Sequence, residues 1–486
     1  MRSLDSRSPL RVVVLGAGPA GLTAAYTLCK RGIPAMVLEK TSMVGGHART
    51  EEYKGYRFDI GGHRFFTKIE EVNEIWHEVL GDEFVRVPRL SRIYYSDTFF
   101  DYPLRIFNVL KGLGPVNSFL ILLSYLYAQV RPYPQEENFE EWVSNRFGRR
   151  LFRIFFKTYT EKVWGIPCTE IRAEWAAQRI TNLTFAVALK NAIFKPKEKI
   201  AKTLIEEFDY PQLGPGMMWE RMRDKVEAQG APVELNAEVI RLERSDRRVD
   251  QVIVRCNGRE EAISGTHFIS SIPIKELILR MDPPPPPPIL AAIQKFKYRD
   301  FLTVVLIVNQ ERLFPDNWIY VHSPKVKVGR VQNFKNWSKA MVPDLRKTSV
   351  GMEYFCNVGD ELWTMADEDL VELARQELGA IGLTNTSDIE DGVVIREPYA
   401  YPVYDADYYD SRDAVQGYLK SFENLQSVGR NGLHRYDNQD HAMISAILAV
   451  RNILGENHDV WSINTEKQYH EVVLSSEAQV SAGAEL

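Results

Sequence analysis

One motif near the start of the chain restricts its fold more than any other feature. Arg11-Val12-Val13-Val14-Leu15 is a continuous apolar, β-branched run. Such a run is the pattern of a strand buried on both faces of a parallel sheet. Gly16-Ala17-Gly18-Pro19-Ala20-Gly21 follows, then a helix pattern from Leu22 to Leu28. Ile33-Pro34-Ala35-Met36-Val37-Leu38 reads as a second strand ending in Glu39. In this arrangement Gly16 permits the tight turn, Gly18 lets backbone approach a pyrophosphate, and Gly21 lets the helix pack closely on the strand. The helix start then offers unpaired N–H groups to phosphate. Glu39 is placed to accept a hydrogen bond from a ribose 2′-OH and would repel a 2′-phosphate. Lys40, next to it, is a further cofactor-contact candidate. A G-x-G-x-x-G set between strand and helix, with an acid at this distance, specifies a Rossmann-type dinucleotide fold.

After Glu39 comes Gly45-Gly46-His47-Ala48-Arg49-Thr50. Two glycines clear space and a guanidinium pairs with phosphate. The segment resembles the G-G-x-x-R-[ST] stretch of the flavoenzyme superfamily that holds the amine oxidases, protoporphyrinogen oxidase, phytoene desaturase and UDP-galactopyranose mutase. The resemblance implies FAD, with Gly45, Gly46 and Arg49 at its pyrophosphate. Near the other end, Ser427-Val428-Gly429-Arg430-Asn431-Gly432 and Asn438-Gln439-Asp440 precede an apolar helix pattern from Met443 to Leu454. In the superfamily such a segment closes the FAD site. That implies Gly429, Arg430, Asn438, Gln439 and Asp440 as cofactor contacts. Asp440 is expected at the helix start, either capping it or accepting from the flavin's ribityl chain.

Further segments resemble the UDP-galactopyranose mutases in particular. Phe58-Asp59-Ile60-Gly61-Gly62-His63 is similar to the mutase loop that sets a Gly and a His against the flavin ring. Tyr159-Thr160-Glu161-Lys162-Val163-Trp164 is similar to the mutase Tyr-Thr-x-Lys-x-Trp motif. Arg179 and Arg330, the latter in Val328-Gly329-Arg330-Val331-Gln332-Asn333, correspond to a pair of diphosphate-binding arginines. Met352-Glu353-Tyr354 and Tyr401-Pro402-Val403 resemble two further mutase segments that each contribute a tyrosine to the same diphosphate. The resemblance implies a catalytic set of His63, Arg179, Arg330, Tyr354 and Tyr401, with Tyr159 and Trp164 completing the substrate site. The substrate would be a nucleotide-diphosphate sugar of cell-surface polysaccharide biosynthesis. Reduced flavin would attack its anomeric carbon through N5, expel the diphosphate and allow the ring to reclose on another hydroxyl. NAD(P)H is a candidate reductant. Asn336-Trp337 stands where mutases often carry a histidine, which leaves the sugar open. The alternative is a net oxidoreductase of the protoporphyrinogen oxidase, phytoene desaturase or amine oxidase kind, acting on an apolar substrate.

Three units are expected. A discontinuous FAD-binding domain takes residues 1–90, 200–282 and 412–465. A helical substrate domain takes 100–200 and an antiparallel sheet domain 289–411. A flexible tail follows at 466–486. The fold class is α/β, with the Rossmann-type unit of the glutathione-reductase kind. The run Pro283 to Pro288 is expected as a stiff polyproline II spacer. A formal net charge of −5, with Lys and Arg dispersed, gives no basic face for nucleic acid. Cys29, Cys168, Cys256 and Cys356 show no paired spacing, so no metal site and no disulfide framework is expected. The polar first ten residues lack the apolar core of a secretory leader, and a cytoplasmic location is expected. The apolar stretch Phe119 to Val130 falls short of the roughly 20 residues that span a bilayer. It is expected as a buried helix, and peripheral membrane contact stays open.

Overall fold

A computed structural model describes residues 10–173 and 207–463. Arg179 and the tail after Glu466 lie outside the described residues. Every residue of the strand Val12–Leu15 is buried. It pairs in parallel with Ala35–Leu38 on one side and His267–Ser270 on the other. Among the described residues the sheet has five strands, all parallel, in the order Leu425–Ser427, His267–Ser270, Val12–Leu15, Ala35–Leu38, Val233–Glu234. Its strands therefore come from the beginning, middle and end of the chain. The helix Pro19–Cys29 connects the first two strands and is buried from Ala20 to Leu28. It is covered in turn by the helices Gln439–Ile453 and Gly216–Ala228, which explains why it has no polar face.

A second sheet joins units that the sequence separates. Its order is Ile389–Pro402, Tyr298–Val308, Thr348–Cys356, Arg330–Asn333, Trp318–Val321, Ser91–Tyr95, Thr98–Asp101. The strands drawn from 298–402 pair antiparallel throughout, as expected, and the sheet becomes mixed where Ser91–Tyr95 joins in parallel with Trp318–Val321. Tyr298–Val308 and Thr348–Cys356 are almost wholly buried, since both faces are covered. One face packs Leu302, Met352 and Tyr354 against Leu370, Ala374 and Leu378 of the helix Asp367–Ala380. The other face looks into a cavity.

Two expectations need correction. Pro286 keeps a polyproline-like conformation (φ −56°, ψ 148°), but Pro287 and Pro288 open the helix Pro287–Gln294. A first turn tolerates proline because its N–H groups have no intrahelical partner. The apolar stretch expected as a buried helix belongs to the longer helix Ile106–Val130, and much of it is exposed: Phe119 60%, Tyr127 53%, Val130 79%. Gly148 sets how closely this helix sits on the next ones. A Cβ there would lie 2.7 Å from the Tyr125 backbone nitrogen.

Candidate active site

The parallel sheet's first turn, the helical segment and the mixed sheet enclose one cavity of about 1300 Å³. Gly16, Gly18, Glu39, Lys40, Gly46 and Arg49 line one end. Gly21 lies beneath it: a Cβ there would sit 1.8 Å from the Gly16 carbonyl oxygen, so only glycine lets helix meet strand. The Gly45 N–H donates to the Ala17 carbonyl at 2.9 Å, folding the second glycine pair onto the first turn. A Cβ on Gly46 would lie 3.3 Å from the Gly18 Cα. The Glu39 carboxylate accepts from the Ala17 N–H at 2.8 Å and the Thr41 N–H at 2.9 Å. It also accepts from the Thr41 hydroxyl at 2.8 Å, ties the first turn to the end of the second strand, and of its roughly four acceptor sites keeps about one to offer.

Arg49 is not a free cation. It donates to Glu51 at 2.7 Å and to the two oxygens of Glu397 at 3.1 and 2.8 Å. Glu397 also accepts from His47 Nδ1 at 2.5 Å, and His47 Nε2 accepts from Asn431 Nδ2 at 2.8 Å. Burial alone would raise the Glu397 pKa, but His47 and Arg49 hold it down to about 2. This network joins the first-turn segment, the strand Ile389–Pro402 and the C-terminal segment behind the cavity.

At the C-terminal side Gly429, Arg430, Asn438, Gln439 and Asp440 line the cavity. The helix cap differs from expectation. Asn438, not Asp440, is the N-cap of Gln439–Ile453, in a capping box closed by His441. Asp440 sits inside the first turn, buried at the cavity wall.

Gly61, Gly62 and His63 line the middle. His63 Nδ1 lies 3.1 Å from the Gly61 carbonyl. Burial, then Arg430, His47 and Arg330, lower its pKa to about 3, so His63 is neutral at physiological pH. A neutral imidazole donates from one nitrogen and accepts at the other.

At the far end Tyr159, Trp164, Arg330 and Tyr401 meet on one wall. The helix Thr158–Trp164 is held on the mixed sheet by Lys162, whose ammonium donates to the carbonyls of Val321, Ser323 and Val328. Burial lowers the Lys162 pKa to about 8, against the pull of Glu377. The Tyr159 ring stacks on His322 at 4.8 Å, and Trp164 meets Tyr401 edge-on at 6.3 Å. Arg330 lies directly across from Glu353 in strand register and donates to it at 2.6 Å. Gln332 donates to the other Glu353 oxygen. Burial raises the Tyr401 pKa to about 12, although Arg330 and Arg430 oppose it, so its hydroxyl keeps its proton.

The structure does not bring Tyr354 to this wall. It is fully buried on the opposite face of Thr348–Cys356, beside Glu377. Side chains alternate along a strand, so Phe355 lines the cavity, Glu353 lies on the same side beneath Arg330, and Tyr354 faces the core. Arg179 lies outside the described residues. Sequence reasoning gave Arg430 only a cofactor role and missed Tyr436. The Arg430 guanidinium lies 4.7 Å over the Tyr401 ring and 4.5 Å over the Tyr436 ring. Tyr401 and Tyr436 stack at 5.7 Å. Among the described residues the buried Nε and Nη2 of Arg430 have no hydrogen-bond partner. Glu353 was visible one position from the residue chosen, and Tyr436 two before Asn438.

FAD fits this architecture. Bare glycine backbone at the helix start, Glu39 at the strand end and the Asn438 turn lie along one continuous cavity. Its volume exceeds the roughly 300–1000 Å³ of an ordinary small-molecule pocket, leaving room for an elongated cofactor and a substrate.

The profile of a family described as flavin containing amine oxidoreductase matches residues 19–434. The L-amino-acid oxidase of Crotalus adamanteus is 45% identical over 67 residues, which are 14% of this chain and 13% of that protein. The 1-hydroxycarotenoid 3,4-desaturase of Flavobacterium sp. (strain P99-3) is 31% identical over 102 residues, 20% of this chain and 21% of that protein. The chain thus matches about a fifth or less of the length of these curated relatives. The crystal structure of reduced UDP-galactopyranose mutase superposes with a TM-score of 0.81 at 21% identity, covering 94% of this chain and 98% of the other. That likeness is one of fold.

Proposed function

Because the chain belongs to the flavin-containing amine oxidoreductase family and is therefore an FAD-dependent enzyme, we propose that it interconverts ring forms of a nucleotide-diphosphate sugar, as a UDP-galactopyranose mutase does. The observation that carries this reading is Arg430. A buried guanidinium on two aromatic faces, with no carboxylate in hydrogen-bond contact among the described residues, is built to receive an anion. Arginine is suited to this because its planar fork matches phosphate oxygens and its face stacks on aromatic rings.

Reduced FAD, once bound, supplies the nucleophile for the sugar carbon. The chain's own residues supply orientation and charge. Arg430 pairs with the departing diphosphate, and the protonated Tyr401 hydroxyl donates to it. Arg330 contributes a second positive edge, fixed in place by Glu353. Tyr159 and Trp164 offer aromatic surface to a flat base. Neutral His63 can donate or accept one hydrogen bond at the middle of the cavity without adding charge.

Arg430→Ala is expected to lower turnover about 10²–10³-fold, the scale of losing a charge-stabilising donor. It is a cleaner variant than Arg330→Ala, which would strand the buried Glu353 carboxylate and cost about 3–5 kcal/mol of stability. The deciding experiment titrates the purified protein with UDP, other nucleoside diphosphates and UDP-galactose, first oxidised and then reduced by dithionite or NAD(P)H. Tighter binding to the reduced form and an isomeric sugar product support the reading. The second reading, oxidation of an apolar substrate, draws on the wall of Ile93, Leu104, Phe139, Phe155 and Phe156 in the same cavity. Flavin reduction by an apolar substrate, with no nucleotide binding, would select it.

A further inference from the structure

We propose that the outward face of the helix Ile106–Val130 docks on an anionic lipid bilayer surface. The helix has its polarity reversed. Val116, Phe119, Leu120, Leu123, Tyr127 and Val130 recur at helical spacing and are exposed. The stripe facing the protein carries Asn117, Ile121, Ser124 and Ala128, and part of it is polar and hydrogen-bonded. Arg150 donates to the Asn117 side chain at 2.5 Å, and the Arg150 N–H donates to Ser124 Oγ at 3.0 Å. A helix packed on a protein in water shows the opposite arrangement. Contiguous exposed apolar surface on this scale marks an interaction face.

The surface charge selects the occupant. Residues 106–130 contain no Asp or Glu, and Lys111 is their one charged residue. Arg105 and Arg131 bracket the helix, and Arg149 and Arg153 stand exposed on the helical segment that packs against it. The nearby acids are partly engaged: Asp101 lies 3.9 Å from Arg105 and Glu136 2.6 Å from Arg146. An apolar face rimmed by cations matches an acyl boundary beneath anionic headgroups.

The geometry favours lying on the surface over crossing it. By length and composition this helix could span a membrane. Gly114, at φ 80° and ψ 168°, breaks it before Pro115. The limb Pro115–Val130 is about 24 Å long at 1.5 Å per residue, short of the roughly 30 Å hydrocarbon core. Ile121 and Ala128 are also buried against the protein. Tyr102, Pro103 and Leu104, which lead into the helix, line the active-site cavity, so docking would set that rim near the lipid.

The test is flotation of the full-length, FAD-loaded protein with vesicles of phosphatidylcholine alone or mixed with phosphatidylglycerol. Binding to the mixed vesicles that weakens with salt is expected. Phe119→Glu with Leu123→Glu should abolish flotation while FAD retention and circular dichroism stay unchanged. Lys111→Glu should reduce partitioning onto phosphatidylglycerol vesicles by about fivefold or more, the scale of one basic residue near such a surface. If the wild-type chain stays in the lower fractions, whether as a monomer or as a dimer that covers this helix, the proposal is wrong. Flotation of the double Glu variant at the wild-type level overturns it equally.

Discussion

Arg330 and Arg430 bring the same charge to one wall by opposite means. Burial works against the charge of Arg330, but Glu353 holds its pKa well above the ordinary value. Arg430 rests on aromatic rings instead, so its charge is available to a ligand. A third buried group, Asp59, lies behind the Gly61 loop with the Tyr210 hydroxyl 2.7 Å away. Burial raises its pKa well above 3.8, and Glu353 adds to the effect, against the bond from Tyr210. The folded chain therefore holds a proton that the unfolded chain releases. Stability falls as pH rises from 3.8 through the folded-state value and stays lower above it. Asp59→Asn mimics the protonated form and can still accept from Tyr210. It should melt a few degrees above wild type at pH 8–9, with the difference closing towards pH 4. Thermal denaturation across pH checks this, and a variant that melts lower at pH 8 would mean that Asp59 is ionised in the fold. At this scale the sequence was legible where a residue type has one use, as with the glycines of the first turn. It was not legible where strand phase decides, and Tyr354 was chosen over Glu353 because nothing local marks which face meets the cavity.

Elements whose pattern and packing agree were readable. The helix Asp367–Ala380 buries Leu370, Ala374 and Leu378 at helical spacing, and the strand Tyr298–Val308 is a β-branched run buried almost throughout. The helix Ile106–Val130 was misread because apolar content was taken as burial, and composition alone does not say which stripe faces in. The parallel pairing of Ser91–Tyr95 with Trp318–Val321 left no local trace either, since the two segments are far apart in the chain. The Glu397 network shows how such elements are fastened. The strand Ile389–Pro402 offers one buried carboxylate to Arg49 and His47 of the glycine segment. Its pKa near 2, against 4.5 ordinarily, means that this stabilisation is fully present above about pH 4.5 and is lost as pH falls through about 2. Glu397→Gln should cost about 3 kcal/mol at pH 7, as expected when one partner of a buried ion pair is removed. The deficit should shrink on acidification below pH 4.5. Urea unfolding at pH 7 and pH 3 measures both, and an equal deficit at the two values would show that packing, not charge, is what Glu397 contributes.

Across the whole molecule the cavity belongs to no single stretch of chain. Its lining runs from Gly16 at the first turn, through Tyr159 and Arg330, to Asp440 near the end. The order of the motifs foretold that these segments converge, because each makes sense only around one cofactor. Their distances did not follow from order, since they depend on how the two sheets pack across the cavity. The same convergence makes a prediction about ligand removal. A ligand that binds only the folded chain stabilises it by about 3–4 kcal/mol at 100 to 1000 times its dissociation constant. For a chain of 486 residues, with about 2.1 cal/mol/K of unfolding entropy per residue, that corresponds to a melting shift of about 3–4 °C. FAD removal should therefore lower the melting temperature by that amount, and re-addition should restore it. Because FAD would bridge the first turn and the C-terminal helix start, the stabilisation should not be local. Amide hydrogen exchange with and without FAD should show joint protection of residues 16–21, 45–50 and 429–443. Protection limited to residues 16–50 would mean that the C-terminal segment lines the cavity without holding the cofactor, and Arg430 would then have to be positioned by its two tyrosines alone.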